Sequence, residues 1–412
     1  MELKTKYQYT YFIYPYVVQE DKYEKYILGL LKDKKCNLKF YEKEKDSNLY
    51  NFFLPKVRES LFRNFEFTKE RIKKFKEFDS KMQSRILAKY PCITFEYDIG
   101  NDVQAKTDGE ENGIFFKIQK IEIICFNTGI FFLTLKTNVE DSVKFSDVLN
   151  FNYKFKDYNS ELKELKNYEN IHIQTNIYSN VKSLKDLINI FVPNKYGAKK
   201  LNIDTNRFYT YAYTCIEQEY WNNEIDFVNL ENEFYKYMLL KKDSSNINKI
   251  IDEANIIDSI KYARIAITQT GIALLSSAYS KKNYLTLPFE FENQYFYLYL
   301  WILYKKIYLS KISKELDDIK NNKYVRRKFI KFTQNIWVYE ITNDETGIEI
   351  DKKISKKFGL KKLYEEVKNK YDIMYKELNI ERNSKINKYI LIALIISLGF
   401  NFINAINIIF YK

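Results

Sequence analysis

The chain has 412 residues, with 67 Lys+Arg against 54 Asp+Glu for a net charge of +13, enough material for two to three domains and an ample core. Its 17% aromatic content argues against disorder, and its 10 glycines and 5 prolines exclude collagen-like and Gly-rich linker architectures. The surplus of Lys, Asn, Ile, Tyr and Phe is what an A+T-rich coding sequence produces, so the basic charge is too dispersed to point to a nucleic acid.

Met1-Glu2-Leu3-Lys4 carries no apolar stretch, so no secretory signal is expected there. Residues 5–18 place Tyr7, Tyr9, Tyr11 and Ile13 on one face, a strand pattern expected to end near Pro15. Ile72, Phe75, Phe78, Met82 and Ile86 recur at three- and four-residue steps and predict one helix over 68–89. Strands are expected near 92–98, 114–125 and 129–136, the last two joined by a hairpin in which Gly129 supplies the positive φ. Beyond a polar stretch at 155–170 the strand character resumes. Residues 207–214 alternate Tyr209, Tyr211 and Tyr213 with Phe208, Thr210, Ala212 and Thr214, and 260–276 reads as two strands or a hairpin bent at Gly271.

From about residue 287 the pattern turns helical. The run 295–304 (YFYLYLWILY) is too short to span a bilayer and is interrupted by Lys305 and Lys306, so a buried helix is expected. A last helical region begins near Lys352. Within it Leu360, Leu363, Val367, Tyr371, Met374 and Leu378 form a coiled-coil-like stripe, suited either to partner helices or to the chain's own domain. The charge-free run 389–411 (YILIALIISLGFNFINAINIIFY) follows. At 1.5 Å per residue it reaches roughly 34 Å, enough for a hydrocarbon core of about 30 Å. Lys376, Arg382, Lys385 and Lys388 precede this run and only Lys412 follows it. The positive-inside rule then sets the bulk of the chain in the cytoplasm, with a single pass through the cell membrane.

Motifs for catalysis are missing. There is no Walker A, G-x-G-x-x-G, H-E-x-x-H or G-x-S-x-G pattern. The one histidine, His172, lies in a predicted strand and reads as structural. The four cysteines (Cys36, Cys92, Cys125, Cys215) are widely spaced, which leaves no zinc site and suggests buried free thiols. No enzyme activity, cofactor or metal is expected.

Polar groups inside the apolar run carry more. Ser397, Asn401, Asn404 and Asn407 fall at steps of 4, 3 and 3 and share one helix stripe. Amides facing lipid are costly, so the stripe is expected to meet protein or water, as interhelical contacts or as a pore lining in a homo-oligomer. The asparagine-rich composition is the competing explanation. Glu381, Arg382, Lys385 and Lys388 would repeat as juxtamembrane charged rings in such an assembly. Arginine is scarce, nine against 58 Lys. Arg207, Arg264, Arg326 and Arg327, set among aromatics, are therefore candidates for a phosphate or nucleotide ligand, against the reading of ordinary ion pairs.

The order of these elements resembles the CorA-type channel family over about 286–411. FENQYFYLYLWILYKKIYLSKIS (291–313) and LYEEVKNKYDIMYKELNIERNSKINKYILIALIISLGF (363–400) carry the resemblance, with GIFFLTLKT (129–137) and FSDVLNFN (145–152) before them. The family's Gly-Met-Asn signature is absent, its nearest counterpart being Ile406-Asn407-Ile408, and so is a second transmembrane helix; no metal ligand carries over. Divergent CorA-like proteins include membrane effectors of CRISPR antiviral defence opened by a nucleotide second messenger, which is the role the resemblance implies. The expected architecture is α+β: a β-rich cytoplasmic domain over 1–285, a helical pair and stalk over 286–388, and one transmembrane helix over 389–411. The expected function is that of an oligomeric, single-span membrane effector. The alternative is a monomeric tail-anchored tether.

Overall fold

The computed structural model describes residues 2–63, 68–100, 104–107, 114–139, 144–158, 171–174, 184–192, 199–200, 207–241, 255–317 and 322–410. The fold is α+β, and the chain divides into two compact units. One comprises Met1–Tyr308 and Thr333–Leu360, the other Leu309–Phe332 and Lys361–Lys412.

The first unit is built on a mixed sheet. Its strands are β1 (Thr5–Val17), β2 (Cys36–Lys39), β3 (Cys92–Tyr97), β4 (Gln104–Thr107), β5 (Ile114–Phe126), β6 (Ile130–Val139), β7 (Ile171–Gln174), β8 (Lys199–Lys200), β9 (Tyr209–Ile216), β10 (Ile256–Ile257), β11 (Ala263–Ile267) and β12 (Gly271–Ser277). The main path runs β10-β11-β12-β9-β1-β6-β5-β3-β2, with β4 on β5, β7 on β4 and β8 on β1. Only β12 and β9 are parallel; every other pair described is antiparallel. The β5–β6 hairpin turns at Gly129, φ +79°, where a Cβ would stand 2.3 Å from the Val18 carbonyl oxygen, so glycine is required.

β1 is central and buried on both sides, because its aromatic residues fall on both faces. Phe12, Tyr14 and Tyr16 enter an apolar core with Phe116, Phe151, Phe155 and Phe208. Helices Tyr23–Lys32, Ser80–Leu87, Phe145–Phe155, Leu184–Phe191 and Glu231–Leu239 add their buried residues to that core. Tyr9 and Tyr11 point the other way, towards Leu287–Glu290, the π-helical turn Phe291–Tyr295 and helix Phe296–Leu316. The Tyr9 hydroxyl donates to the Pro288 carbonyl at 2.9 Å, and the Tyr11 ring lies 4.4 Å from that of Phe296. Residues 286–308 thus belong to the body rather than to a separate helical domain.

Three local expectations need correction. β1 runs past Pro15 to Val17. Pro15 pairs with Phe132 of β6, while on the other side β9 stops opposite Ile13 and β8 begins opposite Tyr16, so the missing N–H interrupts no ladder there. The helix expected over 68–89 is two, Lys69–Glu77 and Ser80–Leu87, because the Asp79 carboxylate accepts from the Met82 N–H at 2.7 Å and starts a new N-terminus. The last helix does not begin near Lys352: helix Glu345–Lys357 ends at Gly359, φ +65°, and helix Leu360–Phe410 starts after it.

The second unit is a helical hairpin against the long helix. Residues 309–316 end helix Phe296–Leu316, and helix Asn322–Asn335 returns. The Phe329 ring lies 5.8 Å from Tyr364 and 5.2 Å from Tyr371; Lys370 bridges to Asp317 at 2.9 Å. Val367 and Met374 are buried, while Leu363, Tyr371 and Leu378 are half-buried. The coiled-coil-like stripe is therefore covered by the chain's own helices as far as Leu378, not left open for partner helices.

Candidate functional site

Beyond Leu378 the helix has no cover. It is the one helix among the described residues that is long and apolar enough to cross a membrane, and none of its apolar window is buried. Leu391, Ile395, Leu398, Phe402 and Ile403 are all exposed, and so are Ser397, Asn401 and Asn404. Asn407 lies in the same helix, with its side chain outside the described residues, as is that of Glu381. At about 100° per residue, Ser397, Asn401 and Asn404 fall within roughly 60° of one another and over about 10 Å of axis.

The same rotation separates the juxtamembrane cations from that stripe. Arg382, Lys385 and Lys388 are exposed and step by three around the face that carries Val367 and Met374, roughly 125° from the asparagines. None of the three makes an ion pair among the described residues. The structure thus gathers the three asparagine-stripe residues, and separately the three cations, but does not stack the second set above the first.

The four arginines do not form one site. Arg264, on β11, bridges to Glu224 at 2.9 Å and lies 5.0 Å from the Phe227 ring centroid and 5.5 Å from that of Trp221. Its charge is already matched. Arg207 pairs backbone with Asp157 just before β9; burial lowers its guanidinium pKa, and its Nε has no hydrogen-bond partner. Beside it, burial and then the Arg207 charge pull the Lys156 ammonium down to about 8. In the second unit Arg326 stacks 5.7 Å over Tyr375, and Arg327 is exposed on helix Asn322–Asn335.

His172 lies on β7, opposite Lys106 of β4, and its side chain is outside the described residues. The cysteines are free and buried, and burial pushes the Cys36 thiol up to about 12, as expected of packing residues. No cluster of three or more His, Cys, Asp or Glu suited to a metal occurs among the described residues.

A buried ionic layer escaped sequence reasoning. Glu122, 1% exposed, bridges to Lys39 at 2.9 Å and Lys120 at 3.1 Å. Burial pushes its carboxyl pKa up, but the two ammoniums hold it below the usual range. Lys136 bridges to Glu292 at 2.7 Å, and the Tyr11 hydroxyl donates to the same carboxylate at 2.8 Å. The available signal was a charged residue inside otherwise apolar strands: Lys39, Glu122 and Lys136 all sit in strands. Every member is paired: Glu122 ties strands to one another, and Glu292 ties the sheet to the turn Phe291–Tyr295.

No protein-family model, no curated protein and no solved structure matches this chain.

Proposed function

We propose that this is a single-span membrane protein whose α+β body stays on the cytoplasmic side and whose last helix self-associates in the bilayer. The unburied apolar window of helix Leu360–Phe410, with Ser397, Asn401 and Asn404 on one face, carries the reading. In water such a helix leaves its apolar surface exposed; in lipid that surface is satisfied and only the amides lack partners. Copies meeting along the amides supply them and enclose a polar path. The body then acts as an effector that biases this path between two arrangements. No reaction is assigned to it.

The order of elements that resembles CorA-like channels extends the reading to ion transport under a nucleotide signal in antiviral defence. The scattered arginines lend that extension little.

The test is the mass of the full chain in mild detergent, corrected for bound detergent, followed by ion flux in liposomes. A mass several times 49.8 kDa with flux abolished in the Asn401→Leu/Asn404→Leu double variant supports the path. A monomer at all concentrations sinks it. The tail-anchored tether has one observation in its favour: the Val367–Met374 stripe is already covered within one chain. It predicts that any uncharged helix replacing 389–411 preserves function.

A further inference from the structure

The net charge is unevenly placed. The second unit holds 17 basic and 8 acidic residues, a net +9 of the chain's +13, in Leu309–Phe332 and Lys361–Lys412. A coding bias towards lysine acts on the whole chain and does not concentrate charge beside the apolar helix. Helix Asn322–Asn335 contributes Lys323, Arg326, Arg327, Lys328 and Lys331 and no acidic residue. Its buried side is Val325, Phe329 and Phe332, and Lys328 is spent on Glu315 at 2.8 Å. Its exposed side shows Tyr324, Arg327, Ile330 and Lys331.

The hairpin's place on the long helix gives these charges a direction. Asp317 and Ser313 meet Lys370, Phe329 meets Tyr371, and Arg326 meets Tyr375. Helix Asn322–Asn335 therefore runs against the long helix, its first turn nearest the apolar window. Projected along the axis, Ser313 and Asp317 lie over the side of Lys370, and Arg326 over the side of Tyr375. At about 100° per residue Lys388 falls on the line of Lys370 and Arg382 about 20° from that of Tyr375, with Lys385 between them. The covered part of the long helix ends at Leu378, roughly 15 Å of axis before Lys388. Lys388 adjoins the apolar run, and Lys385 stands about 5 Å above it, at headgroup depth. Glu381 falls on the same side of the helix by rotation, its side chain outside the described residues.

We propose that anionic phospholipid headgroups of the cytoplasmic leaflet bind on the hairpin side of this neck, held by Lys385 and Lys388 with Arg382 above. The inference rests on the membrane reading and deepens it by naming a partner. Charge complementarity selects the occupant: an exposed lysine stripe at headgroup depth, free of ion pairs among the described residues, meets a leaflet surface rich in negative charge. It also gives the two helix faces separate tasks, with amides towards other copies and cations towards lipid.

The experiment reconstitutes the full chain in phosphatidylcholine vesicles containing spin-labelled phosphatidylglycerol or spin-labelled phosphatidylcholine, and compares the protein-associated fractions. Enrichment of the anionic lipid of about fivefold per engaged lysine is expected at low salt, with loss of most of it in Lys385→Gln/Lys388→Gln. Arg264→Gln, a change in the body, should leave it unaltered. Equal association of the two lipids, or enrichment unchanged in the double variant, overturns the proposal while leaving insertion intact. Extraction of the wild-type chain by alkaline carbonate overturns the membrane reading itself, and the proposal with it.

Discussion

Two helical runs of similar apolarity meet opposite fates in this molecule. The run 295–304 is buried throughout, under the sheet and the helices of its own unit. The run from Tyr389 to Ile406 is exposed at every position. The chemistry of the side chains accounts for the difference. The first run is rich in Tyr and Trp, whose polar tips need fixed partners. Tyr295 donates to Asp344 at 3.2 Å, Tyr297 shares a hydrogen bond with Tyr41 and Tyr304 meets Thr128 at 3.2 Å; the Tyr299 hydroxyl and the Trp301 Nε1 are exceptions, both unpartnered. Such a surface suits a shaped protein interior. The second run is mostly Ile, Leu, Phe and Ala, which a featureless hydrocarbon satisfies as well as a core does. Apolarity alone does not separate membrane from core; the demand for specific partners does.

An exchange of lysines breaks or sharpens this contrast most strongly. Leu398→Lys puts a charge near the middle of the exposed run, on a face away from the asparagines. A cost of about 2.5–3.5 kcal/mol for insertion is expected, read as a shift of the chain from the carbonate-resistant to the soluble fraction. A wild-type chain already in the soluble fraction would show that this helix is not in the membrane.

The converse experiment uses a lysine the body already tolerates. Lys305 is 4% exposed, lies between Trp301 and Trp337 at 6.0 and 5.9 Å, and donates to the Val338 carbonyl at 3.3 Å. Burial pulls its pKa down to about 8, with Asp351 opposing. The unfolded chain therefore binds more protons between pH 8 and the ordinary lysine range, so stability rises with pH from about 8. For Lys305 alone the slope is at most about 1.4 kcal/mol per unit, giving about 2 kcal/mol by pH 10. The buried tyrosines, whose pKa values burial raises, oppose this from about pH 9, because their unfolded forms ionise first. Denaturant unfolding at several pH values checks this, and Lys305→Met should reduce the rise, leaving the part that Lys156, also lowered to about 8, contributes. An equal rise in that variant would assign it to other groups.

Much of this was legible in the sequence because it depended on local pattern. Period-two tyrosines marked β1 and β9, Phe126-Asn127-Thr128-Gly129 marked the hairpin, and absence of charge marked the last helix. What stayed hidden was which surface covers which. The 360–378 stripe reads the same whether a partner copy or residues 309–332 pack on it, and only the Phe329–Tyr371 contact decides. Phe78 and Met82 fit a helix face yet are 47% and 44% exposed, because a cap at Asp79 restarts the helix and rotates them out. For the candidate site, the asparagine spacing was readable. The division of amides and cations between faces required knowing that one uninterrupted helix joins them.

The covered stripe offers a middle-sized test. Val367→Ala removes buried methyls and should lower the unfolding free energy by about 2 kcal/mol, whereas Ile396→Ala in the exposed run should cost under about 0.5 kcal/mol outside lipid. Thermal denaturation of the full chain in micelles distinguishes them. If Val367→Ala instead lowered the assembled mass without changing chain stability, the stripe would be an interface between copies.

The smallest effect bears most directly on function. Replacing Asn401 and Asn404 with Leu should leave insertion intact, since it only adds apolar surface. It should weaken self-association by about 1 kcal/mol, because interhelical amide contacts in bilayers are individually worth little. Fluorescence transfer between labelled copies in vesicles, titrated against lipid-to-protein ratio, measures a change of this size. A weakened dimer or higher oligomer would place the amides between copies, where the exposed stripe already puts the least satisfied groups of the helix. An unchanged titration would reduce them to the residues of an asparagine-rich chain, and the exposed run to an anchor: the contrast between the two apolar helices would survive, but the second would have no partner except lipid.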